Sequence, residues 1–152
     1  MAYKRILVAV DGSETSVAAL KEAIKLANEF KATLRIINVA DEFLGYIEGL
    51  SIDLDKYTKS IQQYSQSILK TMQDIARKSG IDAETEVIEI TDVPARVPEK
   101  IIEDARKWKA DIIVVGTHGR SGFGRMILGS VADGVIRHAV TPVLLVRSEE
   151  KS

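Results

Sequence analysis

Short two-sided apolar runs alternate with stretches of helical period along this chain, and that alternation narrows the choice of fold more than any other feature. Arg5-Ile6-Leu7-Val8-Ala9-Val10, Leu34 to Val39, Asp111 to Val115 and Val143 to Val146 are predominantly apolar, with apolar residues on adjacent positions. Such runs suit strands covered by helices on both faces. Between the first two, Val17, Leu20, Ile24 and Ala27 recur every three or four residues, which predicts a helix beginning near Ser13 or Thr15. Tyr57, Ile61, Tyr64, Ile68, Met72 and Ile75 predict the longest helix, ending at Lys78-Ser79-Gly80. Glu84 to Ile90 alternates charged and apolar residues, so it is expected as an edge strand. Ile101, Ile102, Ala105 and Trp108 mark a helix with Pro98 in its first turn, and Ser130 to His138 marks another. The segment Asp41 to Asp55, with Gly45 and Gly49 and no clear period, is expected as a loop. Strand-helix alternation implies right-handed crossovers and an α/β fold with a largely parallel sheet.

Composition limits what such a fold does. At 152 residues and 45% hydrophobic content, the whole of 1–152 is expected to form a single domain. The net charge of -1 supplies no basic field for a nucleic-acid backbone. With no cysteine, thiol catalysis and cysteine-zinc sites are excluded, and a cytoplasmic address is expected. Ile6 to Val10 is too short for a signal core or a membrane span, so no membrane association is expected.

Ligands of open α/β sheets sit beyond the carboxyl ends of the strands, where strand order reverses. Two such ends stand out: Asp11-Gly12-Ser13 after the first strand, and the stretch from Gly116 to Ser130 after the fourth. Five of the ten glycines, Gly116, Gly119, Gly122, Gly124 and Gly129, fall in that second stretch. Glycine lets main-chain N–H groups turn toward an anion, and Gly129-Ser130 lies where a helix begins. Arg120 and Arg125 supply positive charge, and His118 lies in the same loop within reach of a phosphate. A plain flexible turn is the competing reading. Gly119 and Gly124 have P-loop spacing, but Arg125-Met126 stands in place of Lys and Ser/Thr. Gly122-x-Gly124 opens a dinucleotide fingerprint, but Ile127 occupies the third glycine's place.

A third spacing does match: Gly116, two residues, Gly119, nine residues, then Gly129-Ser130. Together with Lys4 to Ser13, Ala110 to Gly116 and His138 to Arg147, it resembles the ATP-binding branch of the universal stress protein family over almost the whole chain. The resemblance implies an open five-stranded parallel sheet, order 3-2-1-4-5, with helices on both faces in Rossmann-like fashion. By that likeness Asp11 and Val39 hold the adenosine end of ATP, Gly116 and Gly119 approach the ribose and phosphates, and Gly129, Ser130 and Val131 cradle the phosphates; Arg120, by its charge alone, is expected beside them. Mg2+ or Mn2+ would be held through the phosphates, not by a dedicated protein site. Ala132 departs from members that carry a second hydroxyl two residues after the motif serine.

Asp11 has a plainer use as a helix or turn cap, and Val39 as core. No Walker lysine or clear general base is present, so no catalytic residue is assigned. A nucleotide-responsive regulatory module is the preferred function. The alternatives are a slow ATPase and an interaction protein without nucleotide. The uncharged run Val143 to Val146, last in the implied order, predicts an edge that pairs with a second copy to form a homodimer.

Overall fold

The computed structural model describes residues 3–41, 54–90, 96–118 and 128–148. Their elements, in chain order, are β1 (Arg5–Ala9), α1 (Glu14–Phe30), β2 (Thr33–Asp41), α2 (Leu54–Lys78), β3 (Glu84–Ile90), α3 (Val97–Trp108), β4 (Ile112–Gly116), α4 (Ser130–His138) and β5 (Val143–Val146). The strands form one parallel sheet in the order β3-β2-β1-β4-β5. Chain order reverses direction between β1 and β4, which places the switch point at the sheet's centre.

Alternation of side chains along the central strands divides the core into two layers. Ile6, Val8, Leu34, Ile36, Ile112 and Val114 point to one face, where they meet Leu20 and Ile24 of α1 and Leu69 and Met72 of α2. Leu7, Ile37, Ile113 and Val115 point to the other, against Ile101 and Ala105 of α3 and Val135 of α4. Burial on both faces explains the consecutive apolar residues of β1 and β4, whereas β3, at the edge, keeps Glu84, Glu86 and Glu89 in its sequence.

Local chemistry sets the helix ends. Ser13 caps α1, its hydroxyl accepting from Ser16 N–H at 3.1 Å, and Lys31 closes the helix in the left-handed region at φ 54°. Pro98 sits in the first turn of α3 as expected. Three boundaries differ from the sequence reading. β2 runs on to Asp41 because β3 continues beside it, with Asp41 opposite Ile90. Val10 falls just beyond β1, although its N–H still donates to Ile37 C=O at 2.9 Å. Asp111 precedes β4, and its Oδ2 accepts from the Lys4 and Arg5 amides at 2.8 and 2.9 Å, tying the starts of β4 and β1 together. Of the loop expected over 41–55, residues 42–53 lie outside the described residues, while Asp41 ends β2 and Leu54 opens α2.

Charge and aromatic contacts lock α3 to the sheet away from the switch point. The Arg35 guanidinium makes two 2.9 Å bonds to the Asp104 carboxylate, and the Arg5 guanidinium stacks 4.2 Å over the Trp108 ring. Hydrogen bonding to Asp104 raises the Arg35 pKa, the more so because Glu86 and Glu84 lie nearby, while burial opposes the shift. No helix among the described residues is long and apolar enough to cross a membrane.

Candidate functional site

At the carboxyl ends of β1, β2 and β4 the sheet opens into a cleft enclosing about 520 Å³, counted out to its open mouth. β1 leads into Ala9, Val10 and Asp11 on one wall, and β2 contributes Asn38 and Val39. The opposite wall is Val115, Gly116, Thr117 and His118, with Gly129, Val131 and Ala132 of the α4 start beside them. Val97 and Ile101 of α3 close the apolar floor. The cleft therefore spans the switch point, with apolar side chains on one flank and a helix start on the other.

Asp11, Val39, Gly116, Gly129 and Val131 are separated by up to 120 positions in sequence, and all five line this one cleft. Asp11 turns the chain out of the sheet: its Oδ1 accepts from the Ser13 amide at 2.9 Å, a local Asx turn that holds the carboxylate at the cleft wall. Gly12 takes φ +87° within that turn. Val39 is half-buried and packs partly on the α3-side core, so its apolar surface is shared between core and cleft.

Gly116 has a packing reason to be glycine. A Cβ there would lie 2.6 Å from Thr15 Cγ2 and 3.0 Å from the Thr15 carbonyl carbon and oxygen. The first turn of α1 thus occupies the space that a side chain would need. Gly129 is the N-cap of α4, and its N–H donates to Thr117 C=O at 2.7 Å. That amide is already committed, so Gly129 offers the cleft an open backbone and not a donor. The amides that precede the first intrahelical bond, Asp133 N–H to Gly129 C=O, are those of Ser130, Val131 and Ala132, and no side chain caps them. They carry the positive end of the helix dipole. Ser130 itself is exposed and stands outside the lining, whereas Ala132 is buried within it. Gly119 and Arg120 lie outside the described residues, as does Arg125.

Three further residues line the cleft: Asn38 and Thr117, which the sequence pattern did not single out, and His118. Asn38 is a buried amide in β2, and its Nδ2 donates to Val10 C=O at 2.8 Å, which fixes the β1 exit against β2. Thr117 is only 6% exposed, and its Oγ1 lies 3.1 Å from His118 Nδ1. His118 Nε2 is buried and has no hydrogen-bond partner. The signal for Asn38 was an uncharged polar residue following Ile36 and Ile37 within a mostly apolar run. Chemically, the cleft pairs an apolar slot with donors at one end, a combination suited to a flat heterocycle carrying an anionic group. No group of three His, Cys, Asp or Glu side chains among the described residues is arranged to hold a metal ion.

A family model described as the universal stress protein family matches residues 2–147. The chain belongs to the universal stress protein family. A universal stress protein of Methanocaldococcus jannaschii is 40% identical over 151 residues, covering 98% of this chain and 85% of that protein. Among solved structures, a universal stress protein of Archaeoglobus fulgidus in complex with dAMP superposes with TM-score 0.68 at 25% identity, covering 96% of this chain and 99% of that one. A universal stress protein in complex with cAMP gives TM-score 0.66 at 28% identity, covering 96% and 98%. Strand order 3-2-1-4-5 with helices on both faces, implied by the sequence resemblance, is the order observed in this family member.

Proposed function

We propose that the cleft binds an adenine nucleotide, ATP in the first place, and that occupancy makes this universal stress protein a nucleotide-responsive regulatory module in the stress response. The observation that carries the proposal is the convergence of Asp11, Val39, Gly116, Gly129 and Val131 on one cleft at the switch point. In this reading the base lies along Val39 and the apolar floor, and Asp11 accepts from the ribose hydroxyls. The phosphates meet the first-turn amides of α4. Residues 119 and 120 would complete the loop. Relatives of the same fold in complex with cAMP and dAMP support an adenine nucleotide as the ligand class. Mg2+ or Mn2+ would ride on the phosphates. Hydrolysis, with no assigned nucleophile or base, would run far below the usual enzymatic range of roughly 1 to 1,000 per second.

Assembly belongs to the same proposal. β5 ends the sheet, and the bonds Ile113 N–H to Pro142 C=O and Thr117 N–H to Val146 C=O fix which of its backbone groups face β4. By the alternation of a parallel ladder, the Val143 and Leu145 backbone groups face away from the sheet. A two-fold pairing of this uncharged edge with a second copy covers them and gives the homodimer. A chain without cysteine suits the cytoplasm as the place of action.

Calorimetry tests the ligand. ATP should bind with micromolar affinity or better, about -8 kcal/mol. Gly129→Val should abolish binding while leaving the fold intact, because Gly129 has φ -60° and tolerates an L side chain. Heat absent with every adenine nucleotide at high micromolar protein overturns the proposal.

A further inference from the structure

Gly134 has no local reason to be glycine. It sits in the second turn of α4, a nine-residue helix, where alanine is the better helix former. Its φ is not positive, since Gly12 and Gly80 are the glycines in that region among the described residues. The reason lies across the helix packing, in α3. A Cβ at Gly134 would stand 2.5 Å from Pro98 Cγ and 2.7 Å from Pro98 Cβ, so the α4 backbone rests on the pyrrolidine ring. That ring cannot swing aside, because it is closed on the backbone in the first turn of α3. The contact adjoins the cleft on both helices. Val97, next to Pro98, and Ile101 form the apolar floor, while Gly129, Val131 and Ala132 of the α4 start form the wall beside it. Both helices pack on the same face of the sheet, α3 through Ile101 and Ala105 and α4 through Ala132 and Val135. Floor and wall are therefore carried by two helices whose separation is set where Gly134 meets Pro98.

We propose that Gly134 and Pro98 are positioning residues: their close contact fixes the distance between the apolar floor on α3 and the uncapped first-turn amides of α4, so that one ligand engages both. The inference rests on the nucleotide reading of the cleft and adds to it a determinant that the ligand does not touch, since neither residue is part of the cleft lining. Restoring ordinary carbon contact at roughly 3.5 Å around an added Cβ parts the two helices by about 1 Å. A close-packed interior transmits such a shift along α4 to its start. An extra 1 Å stretches a hydrogen bond of about 2.9 Å beyond its useful range. A nucleoside seated on the floor keeps its contacts, whereas a nucleotide that also reaches α4 loses part of its hold.

The test compares ATP with adenosine by calorimetry on the wild-type chain, Gly134→Ala and Gly134→Ala/Pro98→Gly, with circular dichroism confirming the fold of each. The ratio of the two affinities isolates what the α4 start contributes, and a loss of stability alone leaves that ratio unchanged. Gly134→Ala should lower the ratio roughly 10- to 100-fold, the worth of one hydrogen bond to a charged group. The double variant removes both ring atoms that the new Cβ meets, so it should recover most of the ratio. In the wild-type chain, nuclear Overhauser contacts between the Gly134 Hα protons and the Pro98 ring should be present with and without ATP, which tests the contact even where Gly134→Ala does not fold. A Gly134→Ala ratio equal to the wild type's, a loss that the double variant does not recover, or the absence of those contacts in the ATP-bound protein would overturn the positioning role while nucleotide binding stands. Wild-type protein that binds neither compound removes the nucleotide reading itself, and the proposal with it.

Discussion

Replacing Gly116 with alanine should destabilise the protein whether or not nucleotide is present. Gly116 is not in the left-handed region, so its backbone accepts alanine, and the cost is steric. The new Cβ would stand 2.6 Å from Thr15 Cγ2 and 3.0 Å from the Thr15 carbonyl group. Restoring ordinary carbon contact at roughly 3.5 Å requires α1 and β4 to part by about 0.9 Å. Thr15 yields little, because it is β-branched, buried and within a helix, with its Oγ1 3.4 Å from Ser148 Oγ. Overpacking of this kind costs about 1–3 kcal/mol, and the stiffer unfolded chain of alanine returns about 0.5 kcal/mol. The net loss is about 0.5–2.5 kcal/mol, or a Tm lower by roughly 1–10 °C for a chain of this size. Denaturant unfolding of wild type, Gly116→Ala and Gly116→Ala/Thr15→Ser measures it. The double variant removes Cγ2 but keeps the 3.0 Å carbonyl contact, so it should recover part of the loss. An unfolding midpoint for Gly116→Ala equal to the wild type's would refute the packing argument and leave ligand approach as the reason for glycine.

Three further outcomes follow from the structure. Gly12→Ala should cost about 1–2 kcal/mol in the same unfolding assay, since φ is +87° and the nearest atoms to a Cβ, on Ile68 at 3.5 Å, do not clash; a neutral result would mean that the Asp11 turn relaxes freely. Asp104→Asn should cost about 2 kcal/mol, because Arg35 and Asp104 are only 15% and 12% exposed and their paired bonds are charge-assisted; an unchanged denaturant midpoint would show the pair to be energetically idle. Sedimentation should find the native chain at twice its 16.7 kDa mass and a folded Leu145→Pro variant shifted toward monomer, since proline removes an outward amide without touching the β4 ladder; a native monomer at tens of micromolar contradicts edge pairing.

The strands and helices were legible because each of their patterns has one physical reading. β1 and β4 are apolar on both faces because helices cover both, and α1 begins at Glu14 because Ser13 is a cap by chemistry. The extension of β2 to Asp41 was not legible, since a strand's end depends on how far its neighbour runs. In the site, the glycine spacing and the Asp11 turn pointed to residues that the fold brings together. The contact between Gly116 and Thr15 lies 101 positions apart in sequence, and close approach of that kind leaves no local pattern. The sequence reading assigned the phosphate cradle to Gly129, Ser130 and Val131 alike; the commitment of the Gly129 amide to Thr117 and the outward placement of Ser130 are tertiary facts. Asn38 within one apolar run and Thr117 just past another were visible as polar residues, but only the fold shows that they are buried and line a cleft.

The central claim, an adenine nucleotide in the switch-point cleft, is tested most directly by following the backbone amides in NMR as ATP is added. The account predicts shifts concentrated at Ala9 to Asp11, Asn38 and Val39, Gly116 to His118, and Gly129 to Ala132. The first-turn amides of α4 should move most, and the groove at Lys109, His138 and Val140 should stay still. No shifts at millimolar ATP, or shifts gathered in that second groove, would contradict it.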